Sequence, residues 1–148
     1  MAESGTRQRK SVSATRLAWL FIYADANSGM RVLLGLGPDE SALDALEITS
    51  QRASKAGDDL TVVVFGDPED RERVASRVRE HLAEADVSAN VREIEDDPGG
   101  KLLEIAEIEE FDRIALPGGK RSPLGKIQLN SVAEFVLMNA TTTVTLIR

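Results

Sequence analysis

The chain has no cysteine, one histidine, and aromatic residues at only 4% of its 148 positions. Without cysteine there can be no disulfide, no thiolate nucleophile and no thiolate-bound zinc, a usage that fits a reducing compartment. His81 is the sole imidazole, so neither a pair of histidines nor a multi-histidine metal centre can be built. Its neighbours put it on the exposed side of a helix as a surface residue, since a working histidine needs an orienting partner. Long apolar runs are also missing. The stretch Leu17 to Ala24 falls far short of the roughly 20 residues that span a bilayer, and it is not a transmembrane segment.

What is present is an ordinary globular balance, 42% hydrophobic and 29% charged, over a length that suits one domain with a real core. The formal charge is −7. Residues before Met30 carry four basic side chains, Arg7, Arg9, Lys10 and Arg16, against the acidic Glu3 and Asp25. The remainder is therefore more acidic than the whole, and such a surface repels phosphate backbones, so nucleic acid is not expected as a partner.

Two regions follow from composition: an N-terminal extension over 1–29 and a domain over 30–148. For the extension, four readings stand side by side. It is a loose tail, or a strand or helix packed on the domain, or an over-extended start ahead of Met30, which directly precedes a strand-like run. The basic opening, apolar stretch and Ala24-Asp25-Ala26 also loosely imitate a secretion signal.

From Met30 on, strands and helices alternate. Arg31 to Gly37 is a short apolar run closed by Gly-Pro, a buried strand. Asp39 to Ala56 predicts a helix with cap candidates Asp39 and Ser41, an inner stripe Ala42, Ala45, Leu46, Thr49, Ala53 and Ala56, and Gly57 as its stop. Leu60 to Phe65 is a second buried strand, and Glu69 to Ala85 a charged amphipathic helix with Val74, Val78 and Leu82 inward. Val87 to Ile94 alternates like an edge strand. A helix over Lys101 to Glu109, a strand over Arg113 to Leu116, a Pro/Gly-rich loop, a helix over Val132 to Asn139 and a strand over Thr143 to Ile147 complete the chain. Strict alternation implies parallel strands with right-handed crossovers, hence a three-layer α/β/α sandwich.

The loop Pro117-Gly-Gly-Lys-Arg-Ser-Pro-Leu-Gly-Lys-Ile-Gln-Leu-Asn-Ser131 has an unusual composition. Gly118, Gly119 and Gly125 allow backbone amides to approach an anion, and Lys120, Arg121 and Lys126 bring positive charge into an acidic chain. Ser131 opens a helix whose N-terminus attracts phosphate. Neither the P-loop nor the dinucleotide Gly-x-Gly-x-x-Gly pattern is present. The same residues also read as plain structure: Ser131 with Glu134 forms a capping box, and the basic side chains are a solvated loop. The residues alone leave both readings open.

The run Gly118 to Lys126, then Asn130-Ser-Val-Ala-Glu134 and the closing Val144-Thr-Leu-Ile-Arg148, resembles the C-terminal half of universal stress proteins. Asp39-Glu40-Ser41 with Ala45-Leu46, and Asp97-Pro98 before the third helix, resemble earlier parts of that family, so the likeness runs from about Met30 to Arg148. It implies a five-stranded parallel sheet of order 3-2-1-4-5. It also implies a motif Gly-x2-Gly-x9-Gly-Ser/Thr that wraps ATP phosphates and ribose, with an acidic residue closing the first strand against adenosine. Laid back from Ser131, the motif puts Asn130, Lys120 and Pro117 at its three glycines and Gly37 at the acidic position; of the four loop positions only Ser131 matches. Each departure costs something: side chains where backbone should meet phosphate, a missing N–H at Pro117, and no side-chain acceptor at Gly37. Lys120 and Arg121 replace lost amide contacts by charge.

The resemblance thus implies a binding region made of Gly37, Asp39, Gly118, Gly119, Lys120, Arg121, Ser122, Gly125, Asn130, Ser131 and Val132, with ATP as its ligand and Mg²⁺ only alongside ATP. The expected role is a cytoplasmic stress-response module with weakened or lost nucleotide binding. It would act as a homodimer through the C-terminal strand and through a further protein partner, with no membrane. A nucleotide-independent scaffold is the alternative. A nucleotide hydrolase is the third reading, and nothing in the loop supplies a nucleophile–base pair, so no catalytic residue and no metal ligand is assigned. Both glycines, 37 and 118, are expected to end adjacent parallel strands and to face one crevice.

Overall fold

The computed structural model describes residues 29–121, 127–128 and 130–147. The expectations for the N-terminal extension, and those placed on Ser122, Gly125 and Lys126, lie outside the described residues. The strands are β1 (Arg31–Leu36), β2 (Asp59–Val64), β3 (Asn90–Glu93), β4 (Arg113–Pro117), β5 (Lys120–Arg121), β6 (Ile127–Gln128) and β7 (Thr143–Ile147). The helices are α1 (Ala42–Ala56), α2 (Pro68–Glu84), α3 (Pro98–Ile108) and α4 (Ser131–Asn139).

Five strands form one parallel sheet in the order β3-β2-β1-β4-β7. This is the expected order 3-2-1-4-5, with β7 as its fifth strand. Side chains alternate across it, as the period of a strand requires. Val32, Leu34 and Leu36 of β1 with Leu60, Val62 and Val64 of β2 pack against Ala45, Leu46, Val74 and Val78 of α1 and α2. Leu33, Val63, Ile114 and Leu116 face the other way, onto Leu102 and Ala106 of α3 and Ala133 and Val136 of α4. Two apolar clusters on opposite faces make the three layers. Leu33, Leu34, Leu36, Val62, Val63 and Val64 are fully buried, each side chain contributing about 1.5–3 kcal/mol of burial.

Element ends differ from the sequence pattern in instructive ways. Helix α1 begins at Ala42, and its N-cap Ser41 makes no side-chain cap bond, while Asp39 spends its carboxylate elsewhere. Ala56 is exposed and Ser50 is buried in its place. Helix α3 starts three residues earlier than its periodicity suggests, because Asp97 caps it, accepting from the Gly100 amide at 3.3 Å, and Pro98 fits the first turn. Strand β3 is four residues rather than eight, since Val87 leaves the strand path to donate its amide to the Leu82 carbonyl at the end of α2. The Pro/Gly-rich loop holds a small antiparallel ribbon, β5 with β6.

The edge strand β3 is tied to α3 by a two-pronged ion pair, Arg92 to Glu109, with both N–O distances 2.6 Å. Arg31 lies over the Phe111 ring at 4.3 Å and donates to the Glu109 carbonyl. The Arg92 hydrogen bond holds the Glu109 carboxyl below its usual range, against the opposing effect of desolvation, and Glu109 raises Arg92 in turn. A depressed folded value means this contribution is present above the unfolded carboxyl range, near 4.3, and is lost as pH falls through the lower folded value. Glu109→Gln is therefore expected to lower Tm at neutral pH and to leave it unchanged near about pH 2; an equal loss at both pH values in thermal melts would count against the pairing. A second outcome concerns Thr61, fully buried in β2 with no partner for its hydroxyl among the described residues. Thr61→Val removes an unsatisfied group at constant shape, so it is expected to stabilise by about 1 kcal/mol, about 2–4 °C in Tm.

Candidate functional site

The carboxyl ends of β1 and β4 are neighbours in a parallel pair, and the helices that follow β1 and β2 lie on the face opposite to those that follow β3 and β4. Crossovers leave in opposite directions at such a point, and a crevice opens between them. Gly37 follows β1 directly and Gly118 follows β4 directly, so the two glycines end adjacent parallel strands, as expected.

Asp39 and Asn130 meet across it. The Asn130 side-chain amide donates to the Asp39 carboxylate at 3.3 Å, joining segments 91 positions apart. The same Asn130 side chain caps α4, its oxygen accepting from the Ala133 amide at 2.7 Å. Its backbone is extended, φ −76° and ψ 168°. The capping role expected of Ser131 therefore belongs to Asn130, and Ser131 is the first, exposed residue of the helix. The reason is chemical: an Asn side chain reaches the third amide as well as Ser does, and its spare N–H₂ group serves Asp39. The amides of Ser131 and Val132, like those of any helix start, have no carbonyl of their own helix to bond. Val132 is half-buried and packs on the second core cluster.

The glycines behave differently from one another. Gly118 is buried and its N–H donates to the Ile147 carbonyl at 2.7 Å, one rung beyond the β4–β7 ladder. That amide is engaged with the sheet rather than with the crevice. Pro117 is part of β4 and opposite Ile147 in register. Gly119 has φ +77°, a left-handed conformation that favours glycine, and turns the chain into the ribbon where Lys120 pairs with Gln128 and Arg121 with Ile127.

Gly37 is roofed by an aromatic ring. A Cβ built on it would lie 2.7 Å from Cε1 of Phe65, so an aspartate at this position would displace that ring. Phe65 follows β2, donates its amide to the Leu36 carbonyl at 3.0 Å and is buried in the second cluster. Sequence reasoning missed Phe65 as a lining residue of this region. Its only signal was an aromatic at the end of a β-branched run, and its proximity to Gly37 depends on the β1–β2 pairing. Among the described residues, no group of three or more His, Asp or Glu side chains is arranged to hold a metal ion.

Comparison with known proteins then places the chain. Residues 67–148, more than half of it, match the model of the universal stress protein family. The fold is similar to a universal stress protein from Archaeoglobus fulgidus, with TM-score 0.68, 20% identity, and coverage of 80% of this chain and 98% of that one. It is similar to a member from Burkholderia pseudomallei, with TM-score 0.62, 21% identity, and coverage of 80% and 95%. A universal stress protein solved in complex with cAMP superposes with TM-score 0.65 at 20% identity, covering 81% and 97%. A search of curated protein sequences finds no match. With the sheet order, the crevice and the match over its C-terminal half in agreement, this chain belongs to the universal stress protein family.

Proposed function

We propose that the chain is a cytoplasmic stress-response module whose crevice binds an adenine nucleotide weakly, and which works as a homodimer that engages a further protein. The carrying observation is the Asp39–Asn130 bridge, which brings the segment after β1 to the start of α4, where the Ser131 and Val132 amides favour an anion. Gly119 and the basic residues 120 and 121 stand at the same end of the sheet. Relatives of this fold have been solved with cAMP and, in Archaeoglobus fulgidus, with dAMP, which supports a nucleotide as the ligand class. Weakness follows from the loss of two contacts: the Gly118 amide is held by Ile147, and Phe65 fills the direction in which a side chain at position 37 would point. Both observations also favour the second reading, a scaffold that has given up nucleotide. No helix among the described residues is long and apolar enough to cross a membrane.

For the dimer, β7 is the last strand of the sheet and its outer edge has no partner among the described residues. Beside it α4 is short and apolar, with Phe135, Leu137 and Met138 all exposed, Met138 by 84%. A helix apolar on most sides fits an interface better than water.

Two measurements test this. Thermal melts with millimolar ATP and Mg²⁺ are expected to show a small rise, about 1 kcal/mol when ligand is five times its Kd, which is about 2–4 °C for a chain of this length. No rise at any millimolar concentration would discard the nucleotide and leave the scaffold. Native mass spectrometry is expected to give twice the chain mass, and Met138→Glu combined with Leu137→Glu to give a folded monomer; a monomeric wild type would refute the dimer.

A further inference from the structure

Asn130 holds the two sides of the crevice together, and the bond it accepts fixes which way its amide is turned. Its Oδ1 takes the Ala133 amide at 2.7 Å, so Nδ2 is the group left for the opposite side, where it donates to the Asp39 carboxylate at 3.3 Å. Asp39 is itself anchored. Its carbonyl accepts from the Ala42 amide at 3.1 Å, which ties its backbone to the first turn of α1, and the preceding residue is Pro38, whose ring fixes its own φ. A negative charge is thereby held one side chain away from the positive end of α4. Glu134, in the first turn of α4, brings a second carboxylate to the same end.

Backbone donors are correspondingly scarce. Among the first amides of α4, that of Ala133 goes to the Asn130 side chain and that of Glu134 to the Asn130 carbonyl at 3.1 Å. Those of Ser131 and Val132 are left without a partner in their own helix. The Gly118 amide is spent on Ile147, and Pro117 has none. A chain of phosphates entering here meets few N–H groups and an anchored carboxylate, and like charges at close range repel. The penalty grows with each added phosphate, whereas adenine and ribose carry no charge and incur none. We propose that Asp39 is an internal counter-anion of this crevice: its carboxylate, held by Asn130 at the start of α4, competes with a ligand's phosphates and makes the site select adenosine and its monophosphate over the triphosphate. This rests on the nucleotide reading of the crevice and adds which nucleotides the crevice accepts. The family resemblance places Asp39 among the binding residues; the bridge gives it the opposite effect on phosphate.

Asp39→Asn isolates the charge, because the new side-chain oxygen still accepts from Asn130 and the bridge is kept. The test is calorimetric titration of the full chain, and of this variant, with adenosine, AMP and ATP, each without Mg²⁺ so that no metal masks the phosphates. The wild-type chain is expected to bind adenosine and AMP more tightly than ATP. In the variant ATP is expected to gain about fivefold, the scale of one partly exposed charge interaction, with a smaller gain for AMP and no change for adenosine. Adenosine thus serves as the control for any general effect on the fold or on the base. Equal gains for all three ligands, no gain for ATP, or a wild type that prefers ATP each overturn the inference and leave the nucleotide reading standing. Failure of both proteins to bind any of the three overturns the two together.

Discussion

The parallel pairing of β1 with β4 is the constraint on which everything else hangs. Strand β1 has a neighbour on each side, β2 and β4, and its side chains reach both apolar clusters. Parallel strands cannot be joined by a tight turn, so each link must pass over a face and bring a helix with it. The chain goes outward from β1 through β2 to β3 and then returns to β4 beside β1. That single reversal puts the ends of β1 and β4 together, and with them Asp39, Gly37, Gly118 and the start of α4. The contact that joins the two sides is not local in sequence; the Asp39–Asn130 bond, between residues 91 positions apart, exists only because the sheet has this order.

Much of the fold was legible because its signals are short-range. Buried parallel strands read as continuous β-branched runs, and Leu60 to Phe65 is such a run; α2 showed its inner face through Val74, Val78 and Leu82, beside which Ala75 is also buried. Edges were less legible because they are set by capping and by neighbours. Asp97 extends α3 toward the N-terminus, since a cap with Pro98 behind it outweighs two glycines that would otherwise argue for a loop. Val87 and Ala89 have strand-like alternation but pack half-buried beside the end of α2, leaving β3 short.

The site was legible in its location and only partly in its parts. Asn130 was read as a misplaced glycine; in the structure it is a cap and a bridge, two tasks that the Cβ-less residue could not perform. Gly37 was read as a lost acceptor, which it is, but the space beside it is filled by Phe65 rather than left open. That pairing joins residues 28 positions apart through the register of β1 with β2, and no pattern within either strand announces it. Gly118 had the right identity for an anion contact and the wrong hydrogen-bond partner. Residue type shows what a backbone can do, and the ladder decides what it does.

The Gly118 amide has one hydrogen, and that hydrogen already closes the ladder at Ile147. A guest that needed it would have to detach the last rung of β7, and a typical net hydrogen bond is about 1 kcal/mol. Because Pro117 has no N–H to take over, nothing in the preceding residue can restore the rung. Crevice and outer strand are in this sense rivals for a single proton donor, so tighter grip at one is looser stitching at the other.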